Sequence, residues 1–594
     1  MVYETSYGIG PKPFSPDPNR GKWEKPTDYI FACVGLALKM EVFDFTYYEH
    51  YQLGILRILV YFVYMVIYLV PIIFIHSFMG QFSSSGFISA LRLSPFFKGM
   101  GYLSVFLSLS MLIYYSIYAA IPLLFIINSF RPTLPWSCEG LTAWFNESSE
   151  RSTICNQSIS REILQFQNHT TKMKLQVPSV LYFDNLFDSK RENEDFDIND
   201  DYELSWHFVG FFALTWAIIA FIFYKFSGTA KFGKFIRYMV IATLFLLLVC
   251  FARFLFLPGG FSWVNKFTAP KPPDWEDVSV PTFLIAMQAF GAGWGSVIAL
   301  SSFNDFKTDI MSYSWFISLG QTFIFIMFGL VSFMLEHYFT ELFEESEKTN
   351  VINIWVLILS SASALSTMGW PNMWTIIYYT TIFMGTVILM TTQIFTVLQS
   401  LFDEFEELRA RKSETTFGLI GGLAVCSLFF CTNFGISFFC SFYADAIFSH
   451  NLLHLLLILV VLWIYGRERF QRDIEFMLGQ PFGSWKVFIL RFIAPILFLI
   501  CMRMGIYWSI WNHFYTTLWT LVMCIIVVWL PNLAIPGYAL YCLAHSTGTV
   551  WDRLRRTCRP RDWYPVDMEY RQKYEEGLGI IETHQLVKVT EEAN

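Results

Sequence analysis

Long apolar runs separated by shorter polar connections recur from one end of the chain to the other. Twelve of them, over 28–48, 53–79, 100–130, 207–227, 235–257, 281–303, 311–335, 372–400, 416–434, 446–466, 487–508 and 515–544, are close to the roughly 20 residues that cross a hydrocarbon core of about 30 Å. The pattern predicts an all-α polytopic membrane protein of twelve transmembrane helices. It divides the chain into an N-terminal tail over 1–27, a twelve-helix domain over 28–544 and a C-terminal tail over 545–594. An even number of crossings leaves both tails on one side.

Two of the runs are interrupted. The first contains "GLALKMEVFDF", which places Lys39, Glu41 and Asp44 within an otherwise oily stretch. Each charge at a helix centre costs about 2.5–3.5 kcal/mol on insertion scales. Lys39 and Glu41 are two residues apart, so on an intact helix they point in different directions. On unwound backbone they could meet or share one polar cavity; alternatively, Asp44 and Glu41 lie near the outer surface. The sixth run reads "MQAFGAGWG", with Gly291, Gly293 and Gly295 alternating at its centre. Glycines also permit close helix packing, but alternate positions do not share one helix face. A broken helix accounts for them better, and irregular backbone at membrane depth is tolerated where it lines a cavity or is buried in protein. Two interrupted spans five apart fit an inverted-repeat transporter plan.

Composition agrees with a membrane chain. It is 55% hydrophobic and only 15% charged over 594 residues, with a mean hydropathy of +0.45, against about 25% charge in a soluble domain. The net charge of −7 averages over separated blocks. Acid gathers in "RENEDFDINDDYE" and "EHYFTELFEESEK", base in "RARK", "GRERFQR" and "WDRLRRTCRPRD". Basic connections are expected on the cytoplasmic side, which puts both termini in the cytoplasm. No basic patch sits on a soluble domain, so nucleic acid is not an expected partner; the expected ones are the lipid bilayer and a small-molecule solute. The polar N-terminus lacks the apolar core of a cleavable signal, so the first span is expected to act as its own. Cys138 and Cys155 share one polar segment with three sequons, at Asn146, Asn156 and Asn168. Glycans and disulfides both belong to the oxidising side. The 131–205 loop is therefore expected outside the cell, glycosylated at those asparagines and closed by a Cys138–Cys155 bond. His76 and His454, inside spans, read as satisfied core residues rather than ligands. No nucleophile elbow, phosphate loop or metal-ligand spacing occurs, so neither an enzyme nor a metal site is expected.

The stretches "MGQFSSSGFISALRLSPFFKGMGYLSVFLSLSMLIYYSIYAA", "GKFIRYMVIATLFLLLVCFARFLFLPGG", "FGAGWGSVIALSSFNDF", "LFDEFEELRARK", "DIEFMLG" and "IPGYALYCL" resemble, in family order and over nearly the whole chain, the neurotransmitter:sodium symporter family. The resemblance implies a LeuT-type fold: twelve helices, two five-helix inverted repeats, and broken first and sixth helices. The cysteine pair fits the family as well. Tyr115, second of the "YY" pair, matches the family's substrate-contacting tyrosine, although such a pair could equally be packing. Phe290 and Trp294 flank the glycines where the family surrounds its solute with aromatic rings. A helix end opened at Gly291 and Gly293 would offer N–H groups to a carboxylate.

The departures from the family fall on its ion sites. "MEVFDF" stands where the family has a sodium-binding asparagine and a gating arginine, with Glu41 near the first and Asp44 near the second. Ala289 stands at a serine or threonine position that serves sodium and chloride. Val387, Ile388 and Leu389 replace the Leu-Asp-Ser cluster of the second sodium site. Alkyl groups offer hard cations no oxygen, so neither sodium nor chloride, the ions the family implies, retains most of its ligands, and no other cofactor is expected. Lys39, partly neutralised by Glu41, could act as a tethered cation or exchange a proton; alternatively the pair is a structural lock. The resemblance implies a plasma-membrane secondary transporter of a small amine or amino-acid-like solute by alternating access. The alternative is a receptor, scaffold or chaperone that kept the fold without transport. The expected solute site is Lys39, Glu41, Tyr115, Phe290, Gly291, Gly293 and Trp294.

Overall fold

The computed structural model describes residues 14, 17, 19–39, 55–140, 178–185, 204–257, 262–268, 295–342, 354–432, 435, 448–496, 498–500, 502–503 and 518–577. Among them the fold is all-helical, with one isolated backbone bridge between Leu204 and Thr432. Nine of the described helices are long and apolar enough to cross a membrane: Tyr61–Ser83, Pro95–Asn128, Trp206–Lys225, Thr229–Leu255, Ile310–Leu335, Pro371–Glu404, Lys412–Cys431, Phe448–Leu478 and Leu521–Ala544. These correspond to the expected second to fifth, seventh to tenth and twelfth spans, and those ordinals are used below. The expected first, sixth and eleventh spans fall partly outside the described residues.

The third and eighth spans form the centre and pack closely against each other. Outer helices turn bare apolar side chains outwards, among them Phe221, Phe245, Val425 and Leu540. In water such faces would aggregate; in a bilayer they contact acyl chains of equal polarity.

The first helix, Pro26–Gly35, begins with proline at its first turn, where a missing N–H costs nothing. Asp28 accepts from the Lys25 backbone N–H at 3.2 Å and pairs with Arg237 of the fifth span at 2.9 Å. The helix stops in mid-span: Leu36 and Ala37 turn, and Leu38 and Lys39 are not helical. The sixth-span helix, Ser296–Ser301, starts at Gly295, whose φ of +94° only glycine adopts without strain. The second span carries a π-helical turn, Met65–Leu69, just before Pro71, a residue that removes a backbone donor.

The second span crosses the sixth-span helix at Gly80. A Cβ there would meet the Ile298 carbonyl oxygen at 1.9 Å and Ser301 Oγ at 2.1 Å, so the two backbones touch with no side chain between them.

The tenth helix overruns its expected end at 466. After Gly466 it continues as Arg467–Leu478 through the expected basic connection, because Phe470, Ile474 and Met477 recur at helical spacing and are buried. The C-terminal segment is packed down as well. Two short helices, Val550–Thr557 and Met568–Gly577, carry the chain back to the bundle, and Trp563 stacks on Phe82 at 5.1 Å.

Candidate functional site

Lys39 is buried at 3% exposure, immediately beyond the end of the first helix. Its backbone N–H donates to Ala37 O at 2.8 Å, a local turn and not a helical bond. It lies close enough to His450 and His454, on the tenth span, for its charge to act on both. Glu41, Asp44, Ala289, Phe290, Gly291, Gly293 and Trp294 lie outside the described residues. So do Cys155 and the sequons at Asn146, Asn156 and Asn168. Cys138 is disulfide-bonded.

The histidines surround a cavity of about 30 Å³, room for one or two waters and too small for an amino acid. His76 from the second span and His450 and His454 from the tenth supply most of its polarity, with Ser104 from the third. Phe87, Leu91, Met100 and Ile298 form apolar walls, and Gly295 contributes bare backbone. The His76 and His454 rings stack at 5.4 Å, and those of His450 and His454 meet edge-on at 4.3 Å. The expectation that His76 and His454 are satisfied core residues holds for burial and only half holds for hydrogen bonding. His454 Nδ1 faces the His450 carbonyl oxygen at 2.9 Å, whereas its Nε2 has no hydrogen-bond partner among the described residues.

Tyr115 is fully buried against Tyr114 at a ring distance of 5.6 Å. It is eleven residues beyond Ser104 on the third span, roughly 16 Å along a helix. The described structure therefore brings Lys39 to the histidines and does not bring Tyr115 into the same cavity.

Between this cavity and the face that carries both terminal segments lies a dense polar closure. Arg20 pairs with Asp403 at the end of the eighth span, 2.7 Å away. It also donates to the Ser84 carbonyl and to Ser302 Oγ, and its guanidinium lies 4.8 Å from the Phe303 ring centre. Asp403 in turn accepts from Gly86 N–H at 2.7 Å and from Gln399 Nε2 at 3.0 Å. Trp23 Nε1 donates to Leu300 O at 2.9 Å, pinning the entry to the first helix against the sixth-span helix. Farther out, Lys412 donates to Asp17 at 2.6 Å. Burial works to raise the Asp17 carboxyl, but hydrogen bonds from Lys412 and the Asn19 N–H, with the charges of Lys412 and Arg409, outweigh it and hold it below the usual range. On the C-terminal side, Asp473 collects Tyr465 Oη–H, Tyr574 Oη–H at 3.0 Å and Trp563 Nε1–H at 3.2 Å.

Sequence reasoning missed this closure and His450. His450 and His454 form an i, i+4 pair, legible as one helix face. The meeting with His76, and that of Arg20 with Asp403, depends on how distant helices pack, and no spacing in the sequence encodes it.

In the eighth span Val387, Ile388 and Leu389 are buried, the last two within the apolar core. Ile388 Cγ2 lies against the first helix so closely that a Cβ on Gly35 would meet it at 2.9 Å. The flanking hydroxyls of Thr386 and Thr391 donate to carbonyls of their own helix.

Residues 20–546 match the profile of the sodium:neurotransmitter symporter family. The human sodium- and chloride-dependent neutral and basic amino acid transporter B(0+) is 24% identical, over 93% of this chain and 90% of its own length. The Xenopus laevis sodium- and chloride-dependent glycine transporter 1 is 25% identical, over 93% of this chain and 89% of its own.

Proposed function

Given that the chain belongs to the sodium:neurotransmitter symporter family, a family of multi-pass membrane transporters, we propose that it carries a small amine or amino-acid-like solute across the plasma membrane by alternating access, without requiring sodium or chloride. Its termini and the Arg20–Asp403 closure face the cytoplasm. The solute occupies the space between the interrupted first span, at Lys39 and Glu41, the sixth-span break around Phe290, Gly291, Gly293 and Trp294, and Tyr115. The 131–205 loop is extracellular, bonded through Cys138–Cys155 and glycosylated at Asn146, Asn156 and Asn168.

The observation that carries this reading is Lys39. Lys39 is buried on non-helical backbone at the point where the first helix stops, which supports a polar solute site in that part of the interior. A solute carboxylate would pair with Lys39. Relatives are named sodium- and chloride-dependent amino acid and glycine transporters, which supports the solute class. The departure on ions rests on the eighth span, where the Ile388 side chain fills the contact with Gly35 and offers carbon to a cation that surrenders its hydration only to oxygen.

In each cycle the closure at Arg20–Asp403 opens as the outer side shuts. The buried pair is stable only while both partners stay together, because either charge left alone in the interior is costly. The closure therefore behaves as a two-state latch.

The test is uptake of radiolabelled amino acids into proteoliposomes holding the full chain, in choline and in sodium buffer at one pH. Equal uptake in the two is expected. Uptake that saturates with sodium and vanishes in choline refutes the proposed independence; no uptake under any condition refutes transport.

A further inference from the structure

We propose that the outer face of the helix Val550–Thr557 is a docking surface for anionic phospholipid, in the leaflet where the twelfth span ends. The inference goes beyond the transport reading and takes from it only the orientation. That orientation puts the leaflet on the cytoplasmic side, where cells keep their anionic lipid.

The helix is short but fixed from several sides. Thr549 caps it, accepting from the Asp552 N–H at 3.3 Å and donating to the Asp552 carboxylate at 2.6 Å. It packs against the last helix of the twelfth span, Ala534–Ala544, and against the Pro95–Phe97 turn. Ser94 Oγ donates to the Cys558 carbonyl at 3.2 Å, and Thr557 is buried. Arg553 reaches back to the span itself: its Nε donates to Gly548 O at 2.8 Å and its Nη1 to Leu543 O at 3.4 Å. Leu543 lies one residue before the helix ends at Ala544, so a cation sits at the negative end of the span. One side chain's length therefore separates the short helix from the end of the transmembrane one. The twelfth span is itself open to lipid, with Leu530, Leu533 and Leu540 bare along it. This places the short helix at the level of the lipid headgroups.

The outward face carries what such a layer attracts. Trp551 is 80% exposed and Val550 73%. A bare tryptophan is at home in a membrane interface, where its apolar ring and its polar N–H both find partners. Arg555 follows Trp551 by four residues on the same helix face. Arg556 adjoins it, Arg559 follows one turn on, and all three are exposed. None of the three forms an ion pair among the described residues, and of their side chains only Arg556 makes a hydrogen bond, at 3.4 Å to the Thr547 carbonyl. Asp552, the acid on this helix, is taken up by the cap. Over 551–562 five arginines against two aspartates leave a net charge of +3. A guanidinium holds phosphate oxygens through two N–H groups at once. Each basic residue near an anionic leaflet raises its residence there about fivefold, and the tryptophan adds an anchor that no charge supplies. Basic residues beside a span also serve as topological signals. That role needs neither a helix pinned to the span nor an exposed tryptophan in register with the arginines.

The experiment follows hydrogen–deuterium exchange of the full-length protein in nanodiscs, whose two leaflets are alike, so the orientation does not enter. Discs of phosphatidylcholine alone are compared with discs of equal parts phosphatidylcholine and phosphatidylserine. Peptides covering Val550–Thr557 should exchange at least about tenfold more slowly in the anionic discs. High salt, which shortens the screening length to about 3 Å, should erase the difference. Peptides from Met568–Gly577, held by Tyr574 on Asp473, should keep one rate in both discs. A variant combining Arg555→Gln, Arg556→Gln and Arg559→Gln should exchange equally in the two discs. The matching triple lysine variant should keep most of the difference, and Trp551→Ala should lower protection in both discs. Equal wild-type rates in the two discs overturn the proposal, as does a lysine variant that shows no difference between them. Equal slowing of Val550–Thr557 and Met568–Gly577 overturns it as well, being a general effect of the bilayer. So does protection in neutral discs on adding inorganic phosphate alone, since the surface would then bind a free anion and not a leaflet. No arm reads uptake, so the outcome is independent of whether the chain transports.

Discussion

Two buried polar assemblies lie on either side of the sixth-span helix, and they are built on opposite rules. At the face carrying both terminal segments, Arg20 meets Asp403, Asp403 is also satisfied by Gly86 and Gln399, and Asp473 is held by four donors, Tyr465, Tyr574, Trp563 and Arg472. Opposite charges meet there. Around the cavity stand three imidazoles and a lysine, with no carboxylate on the described walls. The first arrangement is costly to open and suits a door. The second gathers groups of like or no charge and leaves His454 Nε2 without a hydrogen-bond partner among the described residues.

The comparison breaks most readily at Asp403. Asp403→Ala strands a buried guanidinium and two further donors, and should cost about 3–5 kcal/mol in denaturant unfolding; a loss below about 1 kcal/mol would mean the door holds without this pair. Next in size is the cavity side. Lys39→Ala should lower uptake at least about tenfold while Tyr115→Phe changes it little, and Lys39→Arg should not restore it, because a planar, permanently charged guanidinium replaces a compact ammonium. Equal losses from Lys39→Ala and Tyr115→Phe would mean that the lysine contributes no more to the solute site than the tyrosine hydroxyl. Tyr574→Phe removes one donor from the Asp473 carboxylate and should cost about 1.5–3 kcal/mol, read as earlier proteolytic release of the C-terminal segment. The smallest effect belongs to the pair of the buried Asp17 with the partly exposed Lys412, worth about 0–1 kcal/mol. Because the folded Asp17 carboxyl is held below its usual range, its contribution is complete above about pH 4 and disappears as acid protonates it. Lys412→Met should match wild-type stability near pH 3 and fall slightly below it at neutral pH; a gap that widens in acid would reverse the sign.

Much of the architecture was legible because membrane helices declare themselves by length and hydropathy. The expected 207–227 and 372–400 appear as Trp206–Lys225 and Pro371–Glu404. The oddity of Lys39 was legible for the same reason: a charge in an apolar run demands an interior partner or cavity. The tenth helix's extension was hidden because the basic residues of "GRERFQRDIEFML" mark a polar connection and mask the helical spacing of Phe470, Ile474 and Met477. The cavity was hidden more deeply. Each histidine taken alone suits a core, and only helix packing brings His76 to His454.

The contact at Gly80 has a kinematic consequence. The second span and the sixth-span helix touch backbone to backbone, so neither can slide or roll without driving one main chain through the other. They are geared as one rigid block, and any rocking motion must find its slip plane elsewhere. Replacing Gly80 by alanine would force the block apart, and would show whether the machine tolerates a second moving joint.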